Sequence, residues 1–258
     1  MRLKGAVVVI TGASSGIGAA AALAFARKGS RLELGARRLE KLEVVAEECR
    51  RVGAPSVHAR QLDVGSRAAA RAFITGAVRD HERLDILVNN AGLGWMGRAH
   101  EMPEEKVDEL ITTNLKGVIN TTQSALTWML ERRRGVIINV ASVVGFRASP
   151  YSAVYSATKH GVVGFSHALR GELSGSGVKV CVVYPYVTGD TEFFKPPDTP
   201  VPPVYPASWV ANLIVRTARF PRRDAMVFPV RLAHLAEPVF GGLMDHGIGE
   251  IRRRNLPD

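Results

Sequence analysis

Short, wholly apolar runs alternate along this chain with longer stretches in which apolar residues recur every three or four positions. Val7-Val8-Val9-Ile10 is β-branched and leads into a Gly-rich turn, so it reads as a first strand. From Gly16 to Lys28 the chain is Ala-rich, carries Leu23 and Phe25, and stops at Gly29. That is a helix with a glycine at its carboxyl end. The same reading predicts strands over 31–36, 56–60, 86–88, 136–140 and 178–183. It predicts helices over 39–51, 66–79, 103–130 and 152–173, the stretch 103–130 being one long helix or two closely joined. Strands that alternate with helices are joined by right-handed crossovers and run parallel, with both sheet faces covered. The predicted fold is therefore α/β: one doubly wound domain over 1–258, with a parallel sheet of about seven strands and helices on both faces. Ligands in such sheets bind beyond the carboxyl ends of the strands, so chemistry is sought just after each strand.

The pattern breaks once. Seven of the 14 prolines fall between Pro185 and Pro206. Proline continues neither a helix nor a central strand, so 186–224 is expected to be an irregular loop or lid over the ligand edge. Beyond it, 225–258 forms a C-terminal extension. Ala225 to Pro229 suits a seventh strand, Leu232 to Met244 an apolar helix, and Arg252-Arg253-Arg254 a basic end. Such a segment suits packing on a second copy of the chain or contact with an anionic membrane surface.

Composition narrows the class. At 258 residues the chain holds one large domain and falls short of two ordinary ones. Cys49 and Cys181 are the only cysteines, which excludes a disulfide framework and a Cys-built zinc site, and no metal is expected. No apolar run reaches the ~20 residues needed to cross a bilayer. The amino-terminal apolar stretch is too short for a signal-peptide core, so a cytoplasmic, reducing setting is expected. The net charge is +10, but its basic clusters are short and scattered. No basic stripe with interleaved aromatics runs along the chain, so nucleic acid is not the expected partner.

The loop after the first strand is Thr11-Gly12-Ala13-Ser14-Ser15-Gly16-Ile17-Gly18. Gly12 permits a sharp turn, and Gly16 and Gly18 let backbone approach a ligand. The N–H groups of the helix start then face an anion, aided by the helix dipole, and a dinucleotide diphosphate fits. Gly12-x-Ser14-x-Gly16 also matches the nucleophile elbow of α/β hydrolases, with Ser14 as nucleophile. That alternative needs a later acid and histidine, and His234 and His246 sit in no recognisable context. The second strand ends Gly35-Ala36-Arg37-Arg38. An acidic residue there would hold an adenosine ribose and repel a 2′-phosphate, whereas two guanidiniums suit that phosphate. NADP(H) is thus favoured over NAD, against the counter-indication of Glu33 in mid-strand.

Tyr155 and Lys159 stand at i and i+4 on one helix face. A free Tyr titrates near ~10, and a neighbouring ammonium is expected to lower that value and make the phenol a proton shuttle. Ser142 follows the fifth strand, where its hydroxyl can hold a carbonyl oxygen. Asn114, within the long helical stretch, is a candidate to hold a water linking Lys159 to solvent, or else a capping or kinking amide.

With these residues in view the chain resembles the short-chain dehydrogenase/reductase family. The likeness runs from about Lys4 to Thr191. It rests on the Thr11–Gly18 loop, Leu62-Asp63-Val64, Asn89-Asn90-Ala91-Gly92, Asn114, Ser142, Tyr155 and Lys159, all in order. The resemblance implies a Rossmann-type fold and an oxidoreductase that moves a hydride between NADP(H) and a carbonyl or secondary alcohol. Asn114, Ser142, Tyr155 and Lys159 would be its catalytic residues, with Tyr155 as general acid/base. Asp63 and Val64 would hold the adenine, Asn90, Ala91 and Gly92 would pack under the cofactor, and Lys159 would bind the nicotinamide ribose. The family's glycine after Pro185 is Tyr186 here, a departure beside the carboxamide contacts expected at Val187 and Thr188.

The resemblance also implies a homodimer or homotetramer. The expected substrate wall comprises Leu93, Trp95 and Met96 after the fourth strand and Val144, Phe146 and Tyr151 after the fifth. Tyr186, Phe193 and Phe194 of the Pro-rich stretch complete it. It is apolar and aromatic, which suits a hydrophobic small-molecule ketone or alcohol. An inactive relative that only senses NADP is the alternative of a different class.

Overall fold

A computed structural model of the chain describes residues 1–189 and 204–226. Seven strands form one sheet: β1 Val7–Thr11, β2 Arg31–Ala36, β3 Val57–Gln61, β4 Ile86–Asn89, β5 Gly135–Val140, β6 Val178–Tyr184 and β7 Asp224–Met226. Their order is β3-β2-β1-β4-β5-β6-β7, and every pairing is parallel. The helices are α1 Gly16–Ala26, α2 Leu39–Arg51, α3 Arg67–His81, α4 Glu104–Ile111, α5 Gly117–Glu131, α6 Ala153–Glu172 and α7 Ala207–Arg219. This is the doubly wound α/β architecture expected. The strand order reverses between β1 and β4, which opens a ligand crevice beyond their carboxyl ends.

Strand alternation sends side chains into two layers. Val8 and Ile10 of β1 and Leu32 and Leu34 of β2 join α1, α2 and α7 in one core, around a Phe25 with no solvent exposure. Burying such a ring contributes about 1.5–3 kcal/mol. Val9, Leu87 and Ile137 face the other way and pack with α3, α5 and α6.

One expectation changes, one open choice is resolved, and one is met in part. First, the span 186–224 is not irregular throughout. It contains α7, whose Val210, Ala211, Ile214, Val215 and Ala218 are buried in the first core, and the start of β7. The spacing of these five is helical, and the prolines that mask it end at Pro206, which precedes α7. Second, of the two forms left open for 103–130 the structure has the two closely joined helices, α4 and α5, linked by a π-helical turn, Thr112–Lys116. A π-bulge inserts one residue without ending the helix, and apolar periodicity cannot resolve it. Third, β7 begins at Asp224, one residue before the strand expected over Ala225–Pro229, and is described to Met226; 227–258 lies outside the described residues. Among the described residues, no helix is long and apolar enough to cross a membrane.

Candidate active site

The turn after β1 is shaped by close approach. Gly12 has φ +66°, and a Cβ there would lie 2.7 Å from the Ala91 Cα. A Cβ on Gly18 would collide with the Gly12 carbonyl and the Asn90 amide. Gly16 has φ +54°. Such positions admit glycine and little else. Asn90 Nδ2 donates to the carbonyls of Thr11 and Gly12, each at 3.1 Å. Thr11 Oγ1 accepts from the N–H groups of Asn90 and Ala91, each at 3.1 Å. The end of β4 thus clamps the end of β1 across the switch point. Thr11 is a positioning residue that its sequence context did not single out.

Ser15 caps α1 with no side-chain hydrogen bond to the helix, and the first turn, with Ile17, carries no acidic residue. Its N–H groups and dipole are left to an anion. Arg38 reaches across from the end of β2, donating to Ser15 Oγ at 3.1 Å and Ser14 Oγ at 3.5 Å. Arg37 turns the other way and pairs with Glu109 at 3.3 Å. The two guanidiniums expected to act together are therefore separated. Asp63 Oδ1 accepts from Gly65 N at 2.9 Å, and Asn120 Nδ2 donates to the carbonyls of Val64 and Gly65 at 3.0 and 3.2 Å. This fixes Asp63 and Val64 just beyond β3, facing the same crevice edge. The loop geometry, the unopposed helix start and the arginine beside it fit a dinucleotide.

The other half of the site hangs from β5 and α6. Ser142 caps the short 3₁₀ turn Val143–Gly145 by accepting from Val144 N at 3.3 Å. It is hydrogen-bonded to the Tyr155 phenol. Tyr155 is 6% exposed and Lys159 3%. Lys159 Nζ donates to the Val140 carbonyl at 3.1 Å and lies 5.7 Å from the centre of the Tyr155 ring.

Burial is the largest influence on both groups. It raises the Tyr155 phenol above its ordinary value, against a smaller lowering by the Ser142 hydrogen bond, and it lowers the Lys159 ammonium to about 8. The expected lowering of Tyr155 by Lys159 is thus not what the protein imposes. The helical spacing gives the two a common face, but desolvation of the phenol outweighs an ammonium committed to a backbone carbonyl.

Asn114 is wholly buried in the π-helical turn. Its Oδ1 accepts from Leu93 N at 2.7 Å, and its Nδ2 donates to the Leu93 carbonyl at 2.9 Å and to Thr158 Oγ1 at 3.2 Å. It therefore ties the loop after β4 to the helix that carries Tyr155. Beneath, Asn89 Nδ2 donates to Asn139 Oδ1 at 2.8 Å and to Thr122 Oγ1 at 2.9 Å, and Asn139 Nδ2 donates to Ser166 Oγ at 2.8 Å. A satisfied buried network of this kind makes the strand ends rigid.

Around the Tyr155 end of α6, Gly92, Leu93, Trp95 and Met96 are half-buried. Gly97 N donates to the Tyr151 carbonyl at 2.9 Å, and Tyr151 has φ +62°, a strained value for an aromatic residue. A cleft of about 440 Å³ opens here, lined by Arg98, Ala99, His100, Pro150, Tyr151 and Ala153. Its lining includes the basic Arg98 and His100 and, of the expected substrate wall, Tyr151, but none of Ser142, Tyr155 and Lys159. Phe146 packs against Tyr184, ring centres 6.1 Å apart, so part of it belongs to the core. The Pro185 carbonyl accepts from Val143 N at 3.0 Å, and Val187 and Thr188 pair with Tyr205. Tyr186, where the resemblance led a glycine to be expected, packs against Tyr205 with ring centres 6.1 Å apart. Phe193 and Phe194 lie outside the described residues, as do His234 and His246.

The profile of the short chain dehydrogenase family matches residues 6–200. The chain belongs to the short-chain dehydrogenase family. This short-chain dehydrogenase is 39% identical over 186 residues to the 3-oxoacyl-acyl-carrier-protein reductase FabG of Thermotoga maritima, covering 72% of this chain and 75% of that one. It is 41% identical over 178 residues to the FabG of Staphylococcus aureus, covering 69% and 72%. Among solved structures it is similar to an alcohol dehydrogenase of the archaeon Thermococcus sibiricus complexed with 5-hydroxy-NADP. The TM-score is 0.79 and the identity 30%, with 87% of this chain and 96% of that one covered. It is also similar to a short-chain dehydrogenase/reductase of Burkholderia phymatum in complex with NAD, with a TM-score of 0.84, 25% identity and coverage of 95% and 96%. A dehydrogenase family leaves no place for a hydrolytic Ser14, whose hydroxyl meets the guanidinium of Arg38.

Proposed function

We propose that the protein is an NADP(H)-dependent reductase of ketones with an apolar arm, able to run in reverse on the secondary alcohol. The observation that carries this reading is the Ser142–Tyr155 hydrogen bond at the carboxyl end of β5, with Lys159 buried behind it and the glycine loop across the crevice. Bound NADP(H) supplies or takes up the hydride. Gly12, Ser14, Ser15, Gly16, Ile17 and Gly18 receive the diphosphate, and Asp63, Val64, Asn90, Ala91 and Gly92 line the path on either side. Pro185, Val187 and Thr188 close the nicotinamide end. Ser142 and Tyr155 hydrogen-bond the substrate oxygen. Tyr155 Oη gives its proton as that oxygen gains charge, and in the reverse direction takes one back. Its raised pKa suits donation, since the phenol stays protonated at neutral pH. Lys159 orients the nicotinamide ribose, and Asn114 holds the wall in register.

Trp95, Met96, Val144, Tyr151 and Tyr186 support an apolar substrate. So do the 3-oxoacyl reductases among the relatives. The deciding test is NADPH oxidation, followed by absorbance, on a panel of 3-oxoacyl thioesters, aryl ketones and short polar ketones. Turnover is expected on the first two classes. Tight NADPH binding with no turnover on any would favour a dinucleotide sensor instead.

Arg38 rather than Arg37 is the residue for the adenosine 2′-phosphate, because it already lies at the glycine loop while Arg37 is paired with Glu109. Arg38→Ala is expected to weaken NADPH about tenfold or more and to leave NADH within about twofold, a charge-assisted bond to phosphate contributing ~1.5–3 kcal/mol. Fluorescence titration measures both. Equal losses for the two cofactors would remove this role.

A further inference from the structure

Strand β2 carries a carboxylate in the middle of an apolar run. Glu33 has no solvent exposure, and an ionised carboxylate out of water is costly unless it is paired or bound to a metal. Side chains from two other elements converge on it. His58, its register partner on β3, has Nδ1 2.5 Å from Glu33 Oε1. His81, the last residue of α3, has Nε2 3.1 Å from the same oxygen. The two imidazoles stack, with centres 5.2 Å apart and planes inclined by 16°. Arg60 Nε donates to the second oxygen, Oε2, at 3.2 Å, and its guanidinium also binds Asp80. Asp80 Oδ2 lies 3.6 Å from His58 Nδ1.

Two ring nitrogens on a single carboxylate oxygen is the arrangement of a ligand set. The three donor atoms lie within 4.8 Å of one another. An ion at the usual ~2.0–2.1 Å from each requires donors roughly 3–3.5 Å apart. The 2.5 Å pair must open slightly, and His58 is free to do so, since its side chain is 40% exposed while His81 and Glu33 are held inside. We propose that Glu33, His58 and His81 form a binding site for a divalent transition-metal ion of the zinc class, with Asp80 or water as fourth ligand. Two imidazoles and a carboxylate suit that ion over calcium or magnesium, which take oxygen ligands. Arg60 plays the part of an outer-shell donor that orients the carboxylate and leaves Oε1 to the ion. Its positive charge opposes the ion, and Asp80 offsets it.

The site lies among β2, β3 and α3, whereas Ser142, Tyr155 and Lys159 hang from β5 and α6. An ion there pins the edge strand β3 to β2 and α3, so its effect is on stability. No spacing motif announces it, because the three ligands come from three elements that only the fold unites.

The test uses the full-length, tag-free protein stripped with EDTA. Calorimetric titration with zinc chloride is expected to show one ion per chain with micromolar or tighter affinity. Saturating zinc raises the Tm, as any ligand bound only to the folded state does. Cobalt(II) added to the stripped protein is expected to give the visible absorption of a four-coordinate site. His58→Gln, a change at the half-exposed ligand, should lower zinc affinity at least tenfold and remove the cobalt bands, while the zinc-free Tm stays within a few degrees. Less than one equivalent of zinc bound by the wild type at about 100 μM, cobalt bands absent in the wild type, or undiminished affinity in His58→Gln would each overturn the site. The wild-type measurements decide the matter even if the variant folds poorly.

Discussion

Tyr155→Phe is expected to lower kcat/KM for the proposed ketone reduction by about 10³-fold or more and to leave NADPH affinity within about twofold. The ring remains, so the packing that keeps residue 155 only 6% exposed is preserved. Only the hydroxyl leaves, and with it the proposed proton donor. A positioned general acid accounts for about 10²–10⁴ in rate, and here the second donor on the same oxygen, Ser142, depends on the phenol for part of its own orientation. The glycine loop, Arg38 and Asn90 are untouched, which is why binding survives. Steady-state NADPH oxidation gives the first quantity and quenching of protein fluorescence by NADPH the second. Activity within tenfold of wild type would mean that another group delivers the proton, and the role of Ser142 would fall with it. The wild-type direction also has a pH signature. Because burial holds the phenol protonated, reduction keeps its donor through neutral pH, while alcohol oxidation needs the phenolate and is expected to quicken as the medium becomes alkaline.

Legibility in the sequence followed how local each cause is. The β-branched runs at Val7–Ile10 and Ile86–Val88 are pressed between two helical layers, so their apolar character alone predicts β1 and β4. Gly12 and Gly18 could be singled out because a collision with backbone excludes any side chain, whatever the rest of the fold does. Depth was not local. Tyr155 and Lys159 share a helix face by spacing, but the desolvation that dominates both depends on how deeply the fold buries that face. The π-helical turn at Asn114 was hidden because one inserted residue barely disturbs an apolar period. The division of labour between Arg37 and Arg38 depends on Glu109, which is 72 residues away from Arg37 in the chain. Glu33 was weighed from the sequence only as a counter-indication to NADP(H), and its partners His58 and His81 were not visible, since sheet register and the end of α3 deliver them.

Lys159→Met is expected to separate stability from catalysis. In the folded protein the ammonium is 3% exposed and its pKa falls from 10.5 to about 8 by burial. Each pKa unit corresponds to about 1.4 kcal/mol, so the charged form is disfavoured by about 3 kcal/mol relative to the unfolded chain. The sign follows from the direction of the shift. A basic group depressed on folding binds its proton better in the unfolded state. The penalty is therefore fully present below pH 8 and is relieved as pH rises from about 8 towards 10.5. Methionine is unbranched and fills the same channel without charge. It forfeits the bond to the Val140 carbonyl, which contributes about 1.5–3 kcal/mol. The balance leaves the variant as stable as wild type or about 1 kcal/mol more stable at pH 7, with a Tm equal or about 2–4 °C higher. At pH 9.5 the wild type has shed most of its penalty and that advantage shrinks or reverses. Turnover meanwhile is expected to drop about 10²-fold or more, because Lys159 is the proposed anchor of the nicotinamide ribose. Calorimetric melting at the two pH values, together with kcat at pH 7, checks the whole argument. A variant several degrees less stable at pH 7 would show that the ammonium is a structural strut, and that its burial is not a strain held for the sake of the reaction.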